Sequence, residues 1–228
     1  MDKFYITTPI YYVNDVPHIG HTYTTVAADV LARFNRLLGK KVFFLTGSDE
    51  HGNKIYQQAL QQNIDPKEHC DKIVEEFKKA WKDMEISYDY FIRTTDIKHE
   101  EVVKKVLLEL NRKGEIYKSK YEGIYCIQCE KFLTESELTE DGLCPDHRIK
   151  PVRHSEENYF FRLSKYKDKL IEIISNKKNP DHFEILPEGR KNEVLGKLKS
   201  SELEDISISR ANLPWAIPIP FDSSQTVY

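Results

Sequence analysis

The chain has 228 residues, of which 39% are hydrophobic and 31% are charged, and its formal net charge at pH 7 is −3. This balance is typical of one large globular domain or two smaller ones, and it argues against a protein that coats nucleic acid by bulk positive charge. No apolar run approaches the roughly 20 residues of a membrane-spanning helix, and the N-terminus lacks the pattern of a secretory signal. We therefore expect a cytoplasmic protein without a membrane partner.

The first part of the chain alternates between strand-like and helix-like segments. Residues 4–13 have the aromatic and β-branched composition of a strand, and turn signals follow at 14–17. Apolar residues then recur every three or four positions over 20–38, which predicts a helix that buries this apolar face and ends at Gly39. Residues 41–46 are a short apolar run, typical of a strand buried on both faces of a parallel sheet.

The same alternation continues to about residue 115. Residues 47–52 form a second junction between a strand and a loop, and Asp65 is a good N-cap for the next helix. A strand is predicted over 88–92, and a helix over 102–110 follows it. This order predicts an α/β fold, with a Rossmann-like doubly wound parallel sheet whose first half spans 1–115.

The rhythm breaks after this region, where residues 116–205 look like an insertion into the sheet. Aromatic, charged and cysteine residues dominate its first part, and a short helix is predicted over 166–174. Residues 206–228 are expected to return towards the fold of residues 1–115, beginning with a strand-like alternation at 206–209. The segment 213–220 contains so many prolines that we predict an irregular conformation for it.

Three cysteines and one histidine in the insertion have the spacing of a zinc knuckle. Cys126 and Cys129 are followed, after fourteen residues, by Cys144 and His147, which gives the pattern C-x2-C-x14-C-x2-H. Two such pairs can close a tetrahedral shell around Zn²⁺, and a shell filled by four protein ligands favours a structural site over a catalytic one. The knuckle would occupy about 119–155. The alternative is that the four residues are merely close in sequence.

The tetrapeptide His18-Ile19-Gly20-His21 lies where the first strand gives way to the first helix. Ligands of such sheets bind beyond the carboxyl ends of the strands, where helix N-termini attract anions. Two imidazoles one helical turn apart can donate hydrogen bonds to one phosphate chain, and Gly20 allows the backbone to approach it. An exposed pair without function, or half of a metal site, remain alternatives.

The second junction carries Asp49 and His51, which we expect at the same edge of the sheet. A carboxylate in this place could hold the ammonium group of a substrate. Asp is also a common N-cap residue, so a purely structural role is the alternative for Asp49.

These motifs together resemble the methionyl-tRNA synthetases, a family of class I aminoacyl-tRNA synthetases, and specifically the N-terminal part of their catalytic domain. The H-I-G-H signature alone also occurs in other class I synthetases and, as H-x-G-H, in small nucleotidyltransferases, so those enzymes are alternatives. The flanking segments single out the methionine family; they are T-P-I-Y-Y-V-N at 8–14, G-S-D-E-H-G at 47–52, the cysteine knuckle, I-S-R at 208–210 and W-A-I-P at 215–218.

The resemblance implies a reaction in which the carboxylate of methionine attacks the α-phosphate of ATP, pyrophosphate leaves, and methionine passes to the acceptor end of tRNA(Met). It implies catalytic roles for His18, Gly20 and His21, which would bind ATP together with Asn14, and Mg²⁺ on the phosphates. It further implies a methionine site made by Ile10, Tyr12, Asp49 and His51. The zinc knuckle would lie in the connective insertion, near the acceptor end of the tRNA.

The second ATP-binding signature of the family, K-M-S-K-S, does not occur in the sequence. Because that signature would complete the active site, we expect the isolated chain to be poorly active or inactive. A noncatalytic zinc-bearing module that interacts with RNA is therefore a further hypothesis.

Overall fold

The computed structural model describes residues 2–128, 131–133, 135–211 and 213–228, arranged as helices on a parallel sheet followed by two antiparallel sheets. The helices are α1 (Ile19–Leu37), α2 (Asn53–Gln61), α3 (Pro66–Asp83), α4 (Ile97–Arg112), α5 (Lys167–Ser175) and α6 (Glu188–Ser200). The strands are β1 (Lys3–Thr7), β2 (Tyr11–Tyr12), β3 (Lys41–Asp49), β4 (Tyr90–Arg93), β5 (Ile116–Cys126), β6 (Lys131–Leu133), β7 (Val152–Phe161), β8 (Ile206–Ser207), β9 (Arg210–Ala211), β10 (Ile217–Ile219) and β11 (Asp222–Val227).

The N-terminal part forms the predicted parallel sheet, with β3 in its centre. Leu45 of β3 pairs with Thr7 on one side and with Tyr90 on the other, so β1 and β4 flank β3. The short β2 continues the line of β1 and pairs in parallel with the end of β3. The single strand predicted over 4–13 is thus divided around Pro9, which has no N–H for the ladder. The α/β class and the parallel sheet are confirmed.

The face that α1 turns to the sheet is not the apolar face that the sequence predicts. The helix packs through Ala28 and Ala32, which contact Phe44 of β3, and through Thr25 and Asp29. Small side chains let the helix lie close to the strands, and the buried polar groups are hydrogen-bonded. Within the described chain the prediction of a buried apolar face is wrong, since its large residues are exposed: Tyr23, Val26, Val30, Leu31, Phe34, Leu37 and Leu38.

The other predicted helices of this part agree with the structure. Asp65 caps α3 by accepting a hydrogen bond from the Lys67 N–H (2.8 Å), and the α3 side chains Val74, Phe77 and Trp81 are fully buried. Phe77 and Trp81 pack against Tyr11 of β2, and Val74 packs against Val13, the residue that follows β2. Burial of this stripe supplies much of the apolar contact beneath the predicted site.

The insertion contains an antiparallel sheet in the order β6-β5-β7-β8, which the sequence analysis did not predict. Its strands carry many charged residues, so the alternating pattern of a half-buried strand is weak. The short predicted helix is confirmed as α5, whereas α6 was not predicted. The boundaries at 115 and 205 stay predictions.

The proline-rich segment is more regular than predicted. Residues 217–219 form β10, at one edge of a three-stranded antiparallel sheet in the order β10-β11-β9. Proline is tolerated in an edge strand because its missing N–H need not serve a neighbour on the open side. This sheet packs on α4 through Leu107, Ile217, Ile219 and Val227. No helix in the described ranges has the length and apolar character needed to cross a membrane.

Candidate functional site

The carboxyl ends of β2, β3 and β4 meet at one edge of the parallel sheet, and the predicted site residues follow them. Tyr12 and Asp49 are direct partners in the register of β2 and β3, and the Val13 N–H donates to the Asp49 carbonyl (3.2 Å). The loop after β2 leads to His18 at the start of α1, and the loop after β3 leads to α2. The structure therefore brings both predicted junctions to the same edge.

His18 and His21 form a stacked pair at the N-terminus of α1. His18 is the N-cap, and its Nδ1 accepts a hydrogen bond from the Gly20 N–H (3.1 Å). The His21 Nδ1 accepts from the His18 N–H (3.2 Å), and the two ring centroids are 3.8 Å apart. Because each Nδ1 is an acceptor, the hydrogen of each neutral ring lies on Nε2. The pair therefore presents two N–H donors beside the positive end of the helix dipole.

Gly20 is required by the position of the His18 ring. A Cβ atom at residue 20 would lie 3.0 Å from Cε1 and 3.1 Å from Nδ1 of His18, closer than side chains normally pack. A larger residue would push the ring away from the N–H that it accepts from. Partial burial lowers the pKa of His21, and the neighbouring His18 lowers it further, which favours the neutral ring.

The structure disfavours a metal at the histidine pair. Both Nδ1 atoms accept hydrogen bonds from backbone N–H groups, so neither is open to a metal ion in this arrangement.

The Tyr11 ring packs against the His21 ring, a contact that the sequence analysis did not predict. Its ring centroid is 4.8 Å from that of His21, and its hydroxyl is 2.6 Å from the Thr25 hydroxyl of α1. Tyr11 is buried against Phe77 and Trp81, whereas Tyr12 points to the other face of the strand. Successive side chains of a strand point to opposite faces, and this alternation is the sequence signal that places only one of the two tyrosines against α1.

Asn14 is held in the loop between β2 and α1 by helix α2. The Gln58 side-chain amide donates to the Asn14 carbonyl (3.0 Å). The Asn14 amide donates to the Tyr12 carbonyl (3.1 Å) and accepts from the Lys54 ammonium (3.2 Å). These contacts order the loop that precedes the histidine pair. Ile10, which lies between β1 and β2, is 43% exposed and so is open to a ligand.

Asp49 is the last residue of β3 and does not cap the following helix. The N-cap of α2 is Gly52, which has no side chain and a φ of 116°, in the region that favours glycine. The N-cap alternative for Asp49 is therefore wrong. His51 lies below the surface with its ring 5.5 Å from that of Trp215, and burial lowers its pKa.

Between Asp49 and His51, Glu50 is fully buried and paired with Arg93 at the end of β4. The sequence analysis did not identify either residue. The available signal was an ionisable residue directly after a buried strand, which needs a partner.

The predicted metal ligands of the insertion come together as far as the structure describes them. Cys126 and Cys144 are buried, and their sulfur atoms and a ring nitrogen of His147 all lie within 4.8 Å of one another. The Cys144 Sγ is 4.0 Å from the His147 Nδ1. Cys129 lies outside the described residues. Two thiols and an imidazole are ligand types that Zn²⁺ prefers.

A parallel sheet with a helix N-terminus at its carboxyl edge is the architecture of the Rossmann-like class of domains. Comparison with known protein families then identifies the family of this chain. The family model described as tRNA synthetases class I (M) matches residues 4–150 and 146–228, and the chain belongs to this family.

Curated relatives and a solved structure agree with this assignment. The chain is 53% identical over 225 residues to a methionine–tRNA ligase of Caldanaerobacter subterraneus, covering 99% of this chain and 34% of the relative. It is 50% identical to the chloroplastic/mitochondrial methionine–tRNA ligase of Arabidopsis thaliana, covering 100% of this chain and 36% of the relative. The Mycobacterium tuberculosis methionyl-tRNA synthetase in complex with methionyl-adenylate matches with a TM-score of 0.90 at 38% identity, covering 100% of this chain and 44% of that chain. The chain thus spans about a third of the length of these curated relatives.

Proposed function

We propose that this chain is the part of a methionine–tRNA ligase that binds methionine and the phosphates of ATP. The observation that carries the proposal is the His18–His21 pair, which offers two Nε2 donors at the edge where Asp49 also lies. The names and the identity of the curated relatives support the methionine specificity.

In the proposed reaction, the methionine carboxylate attacks the α-phosphate and pyrophosphate leaves. Both reactants are anions, so catalysis depends on orientation and on neutralisation of the developing charge more than on proton transfer. The Nε2–H groups of His18 and His21 would donate to phosphate oxygens, with Gly20 and Asn14 shaping the same loop. Mg²⁺ would accompany the ATP phosphates as part of the substrate.

We propose Asp49 as the partner of the methionine ammonium group, because Asp49 is the last residue of β3 and lies beside Tyr12 of β2. Ile10, Tyr12 and His51 would line the site around the side chain. A thioether is only a weak hydrogen-bond acceptor, so selection of methionine would depend on shape and on contact of sulfur with aromatic rings.

We propose a structural zinc ion on Cys126, Cys129, Cys144 and His147. When bound, zinc would cross-link the two ends of the knuckle and stabilise the fold of the insertion. The knuckle would then stand near the acceptor end of tRNA(Met), the partner that receives methionine.

Methionine-dependent exchange between ATP and pyrophosphate tests the proposal. We define the extended ligase as this chain continued by the remaining residues of the Caldanaerobacter relative. We expect exchange in the extended ligase and little or none in the isolated chain, whose sequence has no K-M-S-K-S signature. The Asp49→Ala variant of the extended ligase should bind methionine much more weakly because the ammonium loses its charged partner.

An extended ligase that is folded and binds tRNA but shows no exchange would refute the catalytic proposal. It would favour the alternative of a zinc-bearing RNA-interaction module. Exchange with another amino acid in place of methionine would favour a different class I synthetase.

A further inference from the structure

The Glu50 carboxylate accepts hydrogen bonds from the side chains of three residues. Its Oε1 accepts from Arg93 Nε (2.6 Å) and from the Ser48 hydroxyl (2.5 Å). Its Oε2 accepts from Arg93 Nη2 (2.9 Å) and from the Thr95 hydroxyl (2.6 Å). Glu50 has no exposed surface, so this two-pronged pair with Arg93 is a buried ion pair between the ends of β3 and β4.

The backbone of Glu50 is held as firmly as its side chain. Its N–H donates to the Thr94 hydroxyl (2.9 Å), and its carbonyl accepts from the Trp215 indole N–H (2.5 Å). The Trp215 carbonyl in turn accepts from the Gly52 N–H (3.0 Å). Trp215, 165 residues away in sequence, thus bridges both ends of the loop 50–52.

The far side of the Arg93 guanidinium is also fixed. Its Nη1 lies 2.6 Å from the Asp71 carboxylate on α3. Arg93 therefore connects the loop after β3 to a helix of the domain core. The pair and Trp215 together immobilise the residues on the C-terminal side of Asp49, while the Val13 N–H holds the Asp49 carbonyl.

A buried ion pair contributes little to stability compared with apolar residues of similar volume, because desolvation of both charges offsets their attraction. What such a pair does supply is a defined geometry. A charged ligand partner must be held to within about half an ångström of its productive position, and small displacements of such groups are costly to turnover. Asp49 directly precedes the pair, so any movement of Glu50 moves the Asp49 backbone.

We propose that Glu50 is a positioning residue for the methionine site, which acts through Arg93 and Trp215 to orient the Asp49 carboxylate. This inference rests on the proposed function, in which Asp49 binds the methionine ammonium. Glu50 itself does not touch substrate, since it is fully buried.

The test compares steady-state exchange by the extended ligase and its Glu50→Gln variant. Glu50→Gln keeps the size of the side chain but removes the charge and replaces one acceptor oxygen with an amide NH2 group, which donates and therefore cannot accept from Arg93 or a hydroxyl. We expect the KM for methionine to rise about tenfold or more, with the KM for ATP within about twofold of the parent value. Asp29→Asn is the matched control, because it neutralises a buried carboxylate that accepts from Ser87 (2.7 and 2.5 Å) far from the loop. It should lower thermal stability without raising the KM for methionine.

A second variant keeps the proposal testable where Glu50→Gln does not fold. Trp215→Phe retains an aromatic ring but removes the N–H that the Glu50 carbonyl accepts, and it should raise the KM for methionine about three- to tenfold. A folded Glu50→Gln protein with an unchanged KM for methionine, or with equal rises in both KM values, would overturn the proposal. An unchanged KM in Trp215→Phe would do the same.

The Asp49→Asn variant distinguishes the two levels of the argument. If it leaves the KM for methionine unchanged, the proposed role of Asp49 fails and the positioning role fails with it. If it raises this KM while Glu50→Gln does not, only the positioning role of Glu50 is wrong.

Discussion

Substitution of Gly47 by alanine tests whether β3 and β4 are in closer contact than any side chain would permit. Gly47 pairs with Ile92 in the register of the two strands. A Cβ atom at residue 47 would lie 2.1 Å from the Ile92 carbonyl oxygen and 2.6 Å from its Cγ2. Because the oxygen belongs to the backbone, relief requires the strands to separate by about 1 Å, a distance that breaks a ladder hydrogen bond.

The expected loss combines two effects. Overpacking of this kind costs about 1–3 kcal/mol, and each lost buried hydrogen bond adds about 1 kcal/mol. The reduced entropy of the unfolded chain offsets about 0.4–1 kcal/mol of this loss, so we expect Gly47→Ala to lower the free energy of unfolding by about 2 kcal/mol. Urea unfolding followed by circular dichroism measures this difference.

The control is the same chemical change in open space. A Cβ atom at Gly196 of α6 would meet nothing within 4 Å, so Gly196→Ala should raise stability by about 0.5–1 kcal/mol through helix propensity. If Gly47→Ala costs less than about 1 kcal/mol and the spectrum is unchanged, the inferred close approach of β3 and Ile92 is wrong.

Four further outcomes follow from the site and its electrostatics. Metal analysis should find about one zinc per chain, with most of it lost in Cys126→Ala but retained in Cys70→Ala; less than about half an equivalent in the parent protein would contradict the assignment. In the extended ligase, His21→Ala should lower adenylate formation about 10- to 1000-fold with little change in methionine affinity; a normal rate would remove His21 from the mechanism. The pKa of His51 is lowered from 6.5 in the folded state, so the unfolded state takes up the proton first as the pH falls. The free energy of unfolding should therefore decrease below about pH 6.5, and His51→Gln should flatten this dependence in urea titrations at several pH values. Burial raises the pKa of Cys70 to about 12, so its thiol should resist iodoacetamide at about pH 8.5 in the folded chain and react in urea.

The periodicity of apolar residues predicts that a segment is helical, but it does not always predict which face of the helix is buried. The apolar stripe of α1 has a clear helical period, and it predicted the helix well but its buried face wrongly. Hydrophobicity does not tell whether a small residue such as Ala32 is preferred where the helix must approach Phe44 closely. Thr25 and Asp29 look unsuited to a core until their partners Tyr11 and Ser87 are known.

The features that can be predicted from the sequence are those that depend on near neighbours. The H-I-G-H junction, the Asp65 cap and the spacing of the cysteines and His147 are local patterns, because a helix start or a metal knuckle is built from residues a few positions apart. The folded arrangement, which no local pattern predicts, makes backbone N–H groups the partners of both histidine Nδ1 atoms and leaves their Nε2 atoms to donate. It also decided that Arg93 and Trp215 meet Glu50 beside Asp49, since desolvation of a buried carboxylate selects partners by position in space and not by distance along the chain.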